Sequence, residues 1–496
     1  MGRTLPSMDL DHDACYRIIC QRDPRFDGRF FTAVRTTRIY CRPVCSARTP
    51  RSENVRFYPS AAAAQEAGFR PCLRCRPETA PDLGAWRGTS NTVARALSLI
   101  ELGALDEADV DALAGRLGIG ERQLRRLFRQ HLGASPVAVA QTRRVHLAKQ
   151  LIHDTRLPMA EVAFAAGFGS IRRFNETFAS LFKRSPIELR RMKGPEVSAG
   201  PAGHIELRLP YQPPYDWPAM VAFLARRALP GVEVVTPERY ARTVAVDGVT
   251  GTVIVEPSSG NGRNALRAIV RFPKLSALPA IIARLRRVFD LAADPRAIAA
   301  HLEKDPALAP LVAERPGLRV PGAWDGFELA IRAVLGQQIT VVAAARLAGK
   351  LVASYGERVT GVAPDLEAAL THVFPRPEAL AKADLAALGM PRARAAALSA
   401  VAAAAVADPH LFDATRELDD AVQRLRAIRG VGEWTAQYIA LRQLREPDAF
   451  PAGDLGLLRA MAQRDGQDRS PGELLDRSAQ WRPWRAYAAQ HLWAGA

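Results

Sequence analysis

Two cysteine pairs constrain this chain more than any other feature. Cys41-x3-Cys45 lies in "IYCRPVCSAR" and Cys72-x2-Cys75 in "RPCLRCRP", with 26 residues between them. All six cysteines, Cys15 and Cys20 included, fall within the first 75 residues, so their role belongs to one N-terminal module. Reduced thiolates at this spacing supply four soft ligands for one tetrahedral zinc ion. Such a site is either a closed structural clip or a metal-activated thiolate, and spacing alone favours the clip. A disulfide framework fits poorly. The stretch "MGRTLPSMDLDHDACYRIIC" carries acidic residues where a secretory signal has its apolar core. That predicts a cytoplasmic, nucleoid-associated protein whose thiols stay reduced. Cys15 and Cys20 read as buried or free thiols.

A chain of 496 residues exceeds one ordinary core, so several domains are expected. No run approaches 18 apolar residues, which predicts no membrane span and no membrane partner. The pattern divides into four: residues 1–85 with the cysteines, a helical 86–196, a mixed 203–290, and an Ala-rich helical 291–496. The third alternates in strand fashion ("HIELRLP", "GVEVVT", "RTVAVDGVTGTVIVE", "ALRAIVRFP"), with amphipathic stretches at Trp217–Ala228 and Leu278–Leu291. The fold class is therefore multidomain α+β, with an antiparallel sheet and two helices in the third part. Net charge is +17, and +12 of it lies in residues 1–200, where arginine greatly outnumbers lysine. Arginine suits phosphates and guanine edges.

The second segment contains a repeat. "DALAGRLGIGERQLRRLFRQHLGASP", Asp111 to Pro136, aligns with "EVAFAAGFGSIRRFNETFASLFKRSP", Glu161 to Pro186, at an offset of 50. Each unit reads as a short helix, a Gly-containing turn and a longer helix, the logic of a helix-turn-helix. The pattern resembles the AraC-type DNA-binding domain. Its candidate base readers are Arg122, Gln123 and Arg126 in the first unit and Arg172, Arg173 and Asn175 in the second. Gly133 can close the first long helix with a left-handed cap. Lys183 stands at the matching place, which predicts a less tightly closed turn.

The flanks of the cysteines, "FFTAVRTTRIYCRPVCSARTPRSENVRFY" and "AAQEAGFRPCLRCRPE", resemble the N-terminal domain of the Ada family over about residues 10–80. The resemblance implies that Cys41 accepts a methyl group from a DNA methylphosphotriester. Cys45, Cys72 and Cys75 would be its fellow zinc ligands. Arg35, Arg38, Arg42 and Arg48 are candidates for holding the DNA backbone nearby.

Further on, "LRAIRGVGEWTAQYIALRQL" contains Gly430–Gly432, and "FPAGDLGLL" places Asp454 22 positions after Gly432. Glycines before a helix permit close backbone approach to phosphate. With "PGAWDGFELAIRAVLGQQIT", "DWPAMVAFLARRALPGVE" and "WRPWRAYAAQHLW", residues 203–496 resemble the AlkA-like branch of the helix-hairpin-helix DNA glycosylases. The resemblance implies a catalytic Asp454, DNA contacts at Gly430 and Gly432, a base pocket of Trp434, Tyr438 and Trp493, a duplex wedge at Gln338 and a monovalent cation at the hairpin. The electron-rich rings would stack on a cationic alkylpurine. Trp434 occupies the lyase lysine's place, so hydrolysis without strand cleavage is expected. Neither the iron–sulfur cysteines of some relatives nor a Pro-Cys-His-Arg motif occurs. Arg429 replaces the usual proline before Gly-Val-Gly, and Gln338 replaces an apolar wedge.

Together the resemblances imply an alkylation-responsive activator fused to a 3-methyladenine/7-methylguanine glycosylase. The chain would act as a monomer on alkylated and promoter DNA, with RNA polymerase as a partner. The alternatives are a glycosylase with a DNA-targeting N-terminal half, or a regulator with a degenerate glycosylase half.

Overall fold

The computed structural model describes residues 10–81, 91–192, 204–258, 264–414 and 417–495. The linker "KGPEVSAGPAGH", apart from His204, and the boundaries expected at 85/86, 196 and 203 lie outside these residues.

The first module is a small sheet with strands β1 (Phe31–Val34), β2 (Ile39–Cys41), β3 (Val55–Tyr58) and β4 (Arg70–Pro71) in the order β3-β1-β2-β4. β2 and β4 run parallel, and the other neighbours are antiparallel. Its core is split between two small clusters, one of Phe31, Ala33, Tyr40, Ala64, Phe69 and Ala80 and one of Cys15, Ile19 and Phe30, so a module of this size gains from a further clamp. Cys15 is buried and Cys20 exposed.

The repeat folds as two helix-turn-helix units: Val110–Arg116 with Glu121–Leu132, and Met159–Ala165 with Ile171–Phe182. Leu124, Phe128 and Leu132 in one long helix, and Phe174, Phe178 and Phe182 in the other, are all buried. This is the i, i+4, i+8 stripe of a half-buried helix. Ser135-Pro136 and Ser185-Pro186 start the following helices, each serine capping the backbone and each proline taking the first turn.

The helix Pro136–Asp154 joins the two units and touches everything around it. His146 Nε2 lies 2.7 Å from the buried Tyr40 hydroxyl of β2. Lys149 is fully buried and donates to Glu78 at 2.8 Å and to the Cys72 carbonyl at 3.0 Å. Gln150 donates to the Arg208 carbonyl at 2.9 Å, which ties the helix to the third module.

That module is an antiparallel sheet of β5 (Ile205–Pro210), β6 (Glu233–Val235), β7 (Tyr240–Val246), β8 (Val249–Pro257) and β9 (Ala265–Arg271), in the order β5-β9-β8-β7-β6. Asp247 and Gly248, both at positive φ, make the two-residue hairpin that "VDGV" dictates. The two amphipathic stretches are helices, Trp217–Ala225 and Leu278–Val288. The rest is an Ala-rich helical body, into whose core Ile298, Leu302, Leu311 and Val312 also pack. Arg95 of the regulatory half is buried against this body, pairing with Glu417 at 2.8 Å and Glu446 at 3.3 Å.

One expectation is corrected. Lys183 adopts the left-handed cap as Gly133 does (φ 55° and 67°), and its N–H reaches the Ala179 carbonyl at 3.0 Å, against 3.1 Å for Gly133 to Arg129. Both turns close equally. Glycine is needed at 133 for space, because a Cβ there would stand 3.1 Å from Pro59 Cγ and 3.2 Å from Ala63 Cβ. The zinc module docks here, with Ser60 donating to the Leu132 carbonyl and Glu66 pairing with Arg129.

Gly133→Leu should therefore destabilise the chain by about 1–3 kcal/mol through overpacking, and should expose the first module to protease. Lys183→Gly should be neutral or stabilising by up to about 1 kcal/mol, the cost of a left-handed non-glycine residue. Denaturant melts and limited proteolysis of the two variants read this difference.

Candidate functional site

The four sulfurs of Cys41, Cys45, Cys72 and Cys75 all lie within 4.8 Å of one another. Thiolates at about 2.3 Å from a tetrahedral zinc stand about 3.8 Å apart, so the cluster fits that ion. The sheet builds it. Cys41 ends β2, Cys72 follows β4, and parallel pairing of these strands is extended by the Cys72 N–H donating to the Tyr40 carbonyl at 2.9 Å. The Arg42 N–H donates to Cys75 Sγ at 3.4 Å. Cys72 is buried, whereas the other three are partly exposed.

Arg42 departs from the expectation of a backbone clamp. Its guanidinium pairs with Asp27, donates to Thr79 Oγ1 at 2.7 Å and to the Cys75 carbonyl at 3.3 Å, and so props the cysteine loop from below. Arg35, Arg38 and Arg48 are exposed, and Arg38 lies over the Phe69 ring. Behind the loop, burial alone would raise the Glu78 carboxyl, but Lys149 and Arg76 overcome it and hold the group down to about 2. Arg76 also reaches Asp154 at 3.1 Å.

All six candidate base readers, Arg122, Gln123, Arg126, Arg172, Arg173 and Asn175, are exposed on the outer faces of the two long helices. Arg172 is shared with Glu176 at 2.8 Å.

In the last segment the helices Leu418–Arg426 and Glu433–Ile439 form a hairpin around Gly430–Gly432. Gly430 sits at φ 87°, and a Cβ there would meet Ala397 Cβ at 2.3 Å, so the turn is pressed against the Ala-rich helix Arg392–Ala407. Gly432 caps the second hairpin helix, and Arg429 is exposed.

Asp454 caps the helix Leu455–Asp465, its Oδ1 accepting from the Leu457 N–H at 3.0 Å. The same oxygen accepts from Trp493 Nε1 at 2.9 Å, and Oδ2 accepts from Trp434 Nε1 at 2.8 Å. Two indoles predicted to line a base pocket thus hold the predicted catalytic carboxylate. Gly456 leaves the room, since a Cβ there would come within 2.9 Å of Asp454 Oδ1. Trp434 and Tyr438 stack with centroids 5.1 Å apart.

Gln338 is exposed at φ 58° on the tip of the loop between helices Gly326–Leu335 and Val341–Tyr355. Its neighbour Gln337 fixes that loop to the hairpin, donating to the Gly430 carbonyl and to Thr435 Oγ1, both at 3.0 Å.

Sequence reasoning missed several residues here. Phe223, on the helix Trp217–Ala225 of the third module, and Arg227, in the turn after it, reach Arg442 and Tyr438 from more than 200 positions away, and Arg227 stacks on Phe223 at 3.9 Å. Arg442 lies 4.8 Å from the Tyr438 centroid, 4.2 Å from Phe223 and 5.7 Å from Trp493. The i, i+4, i+8 spacing of Trp434, Tyr438 and Arg442 was a signal available for the last.

Family models match at residues 14–78 (metal binding domain of Ada), 113–192 (helix-turn-helix domain), 206–325 (AlkA N-terminal domain) and 331–485 (HhH-GPD superfamily base excision DNA repair protein). The probable bifunctional transcriptional activator/DNA repair enzyme AlkA of Mycobacterium tuberculosis (strain ATCC 25618 / H37Rv) is 43% identical across 98% of this chain and 97% of its own. DNA-3-methyladenine glycosylase 2 of Escherichia coli (strain K12) is 35% identical over 58% of this chain and 95% of its own length. Among solved structures, the 3-methyladenine DNA-glycosylase from Archaeoglobus fulgidus matches 58% of this chain and 97% of its own at a TM-score of 0.50 and 23% identity, a likeness of fold.

Metal analysis should find one zinc per chain, and chelation should unfold the first module, because metal binding supplies folding energy to so small a core. Lys149→Met, which strips a buried carboxylate of one partner, should cost about 3–5 kcal/mol. Glu78 ionises more readily folded than unfolded, so its contribution is complete above pH 4.5 and is lost as pH falls from there to about 2. In Lys149→Met the folded carboxyl titrates higher, so this loss should be smaller and complete at a higher pH, read from melts across the acid range.

Proposed function

We propose, from the premise that this chain belongs to the family of bifunctional transcriptional activator/DNA repair enzymes of the Ada–AlkA type, that it excises alkylated bases from DNA and senses methylated phosphate. Its C-terminal half hydrolyses the N-glycosidic bond of 3-methyladenine- and 7-methylguanine-type lesions. Its N-terminal half takes a methyl group onto Cys41 and activates transcription. The observation that carries the first activity is the fixing of both Asp454 oxygens by Trp434, Trp493 and the Leu457 amide.

The carboxylate has the right chemistry. Cleavage moves the bond's electron pair onto the base and leaves positive charge at the sugar's C1′. A preorganised anion stabilises that charge without reorganising, and water then closes the bond. Gly430 and Gly432 approach a phosphate, the hairpin would hold a monovalent cation that helps neutralise it, and Gln338 fills the gap left by the flipped base. Trp434, in the lyase lysine's place, offers no amine for a Schiff base, so the product is an intact abasic site.

In the N-terminal half, Cys41, Cys45, Cys72 and Cys75 would hold a zinc ion, which would keep them as thiolates at neutral pH. Cys41 attacks the methyl carbon of a phosphotriester, the sulfur–carbon bond forms as the carbon–oxygen bond breaks, and the phosphate leaves as a diester anion. Methylation removes one negative charge from a cluster that faces phosphate, which strengthens DNA binding. Arg35 and Arg38 hold the backbone. The six exposed residues of the long helices read the promoter, and RNA polymerase is the partner recruited. The functional division follows residues 1–85, 86–196, 203–290 and 291–496, and the chain works as a monomer in the nucleoid.

Asp454→Asn should lower release of 7-methylguanine by about 10²–10³-fold, or roughly 3–4 kcal/mol. DNA affinity should be nearly unchanged. Strands from the wild-type reaction should break only after alkali. Near wild-type release by Asp454→Asn would overturn the assignment, and Asp448 is a poor substitute because Arg482 and Arg485 both hold it. With methylphosphotriester DNA, Cys41 should gain about 14 Da, the mass of one CH2 by thiolate alkylation, and promoter binding should tighten. A methyl mapped to Cys72 would refute the acceptor's identity.

A further inference from the structure

Arg442 is a buried cation that no carboxylate neutralises. It is 2% exposed, it donates once to the Pro321 carbonyl at 2.7 Å, and its Nε has no partner. Among the described residues no carboxylate pairs with it, and the acidic group that faces it is the Tyr438 phenol. Nearby, Arg242 and Arg332 meet Glu328 and Arg445 meets Asp290, while Arg319, which like Arg442 has no carboxylate, donates to four backbone carbonyls where Arg442 donates to one. Burying an unpaired guanidinium costs several kcal/mol. Burial pushes Arg442 down only to about 10, so it remains charged at neutral pH. A charge kept at that cost inside a site calls for a use.

Its position gives one. Trp434, Tyr438 and Arg442 form one ladder: Trp434 holds Asp454, Arg442 packs on Tyr438 and Phe223, and Trp493, which also holds Asp454, lies 5.7 Å from the guanidinium. An α-helix drifts by about 40° every four residues. Here residues Ala440–Leu444 form a π turn, which winds less per residue and returns Arg442 to the Tyr438 side.

We propose that Arg442 stands on the base side of the scissile bond as Asp454 stands on the sugar side, and that the two together pull the bonding electrons onto the base. This rests on the glycosylase reading. When the C1′–N bond breaks, the pair goes to the base nitrogen. A cationic alkylpurine leaves neutral, C1′ becomes positive, and water adds there and loses a proton. In every case the base gains one unit of negative charge. A fixed cation beside it therefore favours the transition state over the ground state, and for a cationic lesion it also disfavours the bound substrate. Arg442 also alters the expected pocket, since the Tyr438 ring already carries this cation.

The test compares Arg442→Met, which keeps length, with Arg442→Lys, which keeps charge, in the full chain. Single-turnover release of 7-methylguanine should fall about 10–100-fold in Arg442→Met, the effect of one charge across a desolvated site, and return to within a few-fold in Arg442→Lys. Binding, measured in an Asp454→Asn background to stop cleavage, should tighten in Arg442→Met for a duplex carrying 7-methylguanine. It should stay unchanged for one carrying neutral hypoxanthine. A packing defect would weaken both. Unchanged release in Arg442→Met, or equal damage in Arg442→Lys, would overturn the inference. If Arg442→Met does not fold, Arg442→Gln replaces it under the same criteria. A wild-type protein that releases no base would instead end the glycosylase reading itself.

Discussion

A single ammonium group, that of Lys149, is the point on which the N-terminal half turns. It is fully enclosed, which is tolerable only because Glu78 and the Cys72 carbonyl meet it at 2.8 and 3.0 Å. Those partners lie on the loop that carries the second cysteine pair, while Lys149 lies on the helix that joins the helix-turn-helix units. The metal cluster and the regulatory domain are therefore built around the same buried charge. Tyr40 with His146 makes a second tie one residue from Cys41, and Arg76 with Asp154 a third. Because a buried pair cannot be half made, the position of the cysteine loop and that of the helix are fixed together.

The repeat shows what a sequence does and does not reveal about such contacts. The apolar stripes of Leu124, Phe128 and Leu132 and of Phe174, Phe178 and Phe182 were legible, because helical periodicity is a local property. So were the Ser-Pro caps. The difference between Gly133 and Lys183 was visible, but its meaning was not. Both residues take the left-handed cap, and only Gly133 faces Pro59 and Ala63. Its cause lies about 70 positions away, in a contact between modules, where no local rule reaches.

The same boundary runs through the candidate site. Asp454, Trp434, Tyr438 and Trp493 could be named from the family resemblance, and the structure brings them together. The resemblance did not reveal that the indoles hydrogen-bond the carboxylate rather than simply line a slot. Phe223 and Arg227 were out of reach, since they arrive from another module. Arg42 was misplaced for a different reason. An arginine beside a metal-binding cysteine reads as a phosphate clamp until Asp27 is seen beneath it. Charge in a sequence has no address, and burial decides whether it faces solvent, substrate or another residue.

The two chemistries share one electrostatic logic. Intact DNA protects its backbone from anionic nucleophiles by its own negative charge, and its bases are poor leaving groups. Methylation of a phosphate oxygen removes the first protection at that phosphate, so a thiolate such as that of Cys41 can approach. Methylation of a ring nitrogen removes the second, because the base can then depart as a neutral molecule. Neither site needs to generate a strong reagent. In the reading proposed above, a cluster of thiolates suffices for one, and for the other a carboxylate pinned by Trp434 and Trp493 with an arginine behind the rings. In both, the lesion itself supplies most of the discrimination against undamaged DNA. The protein's part is to hold the right charge rigidly in place, and that is why each site is braced by buried hydrogen bonds rather than by mobile surface groups.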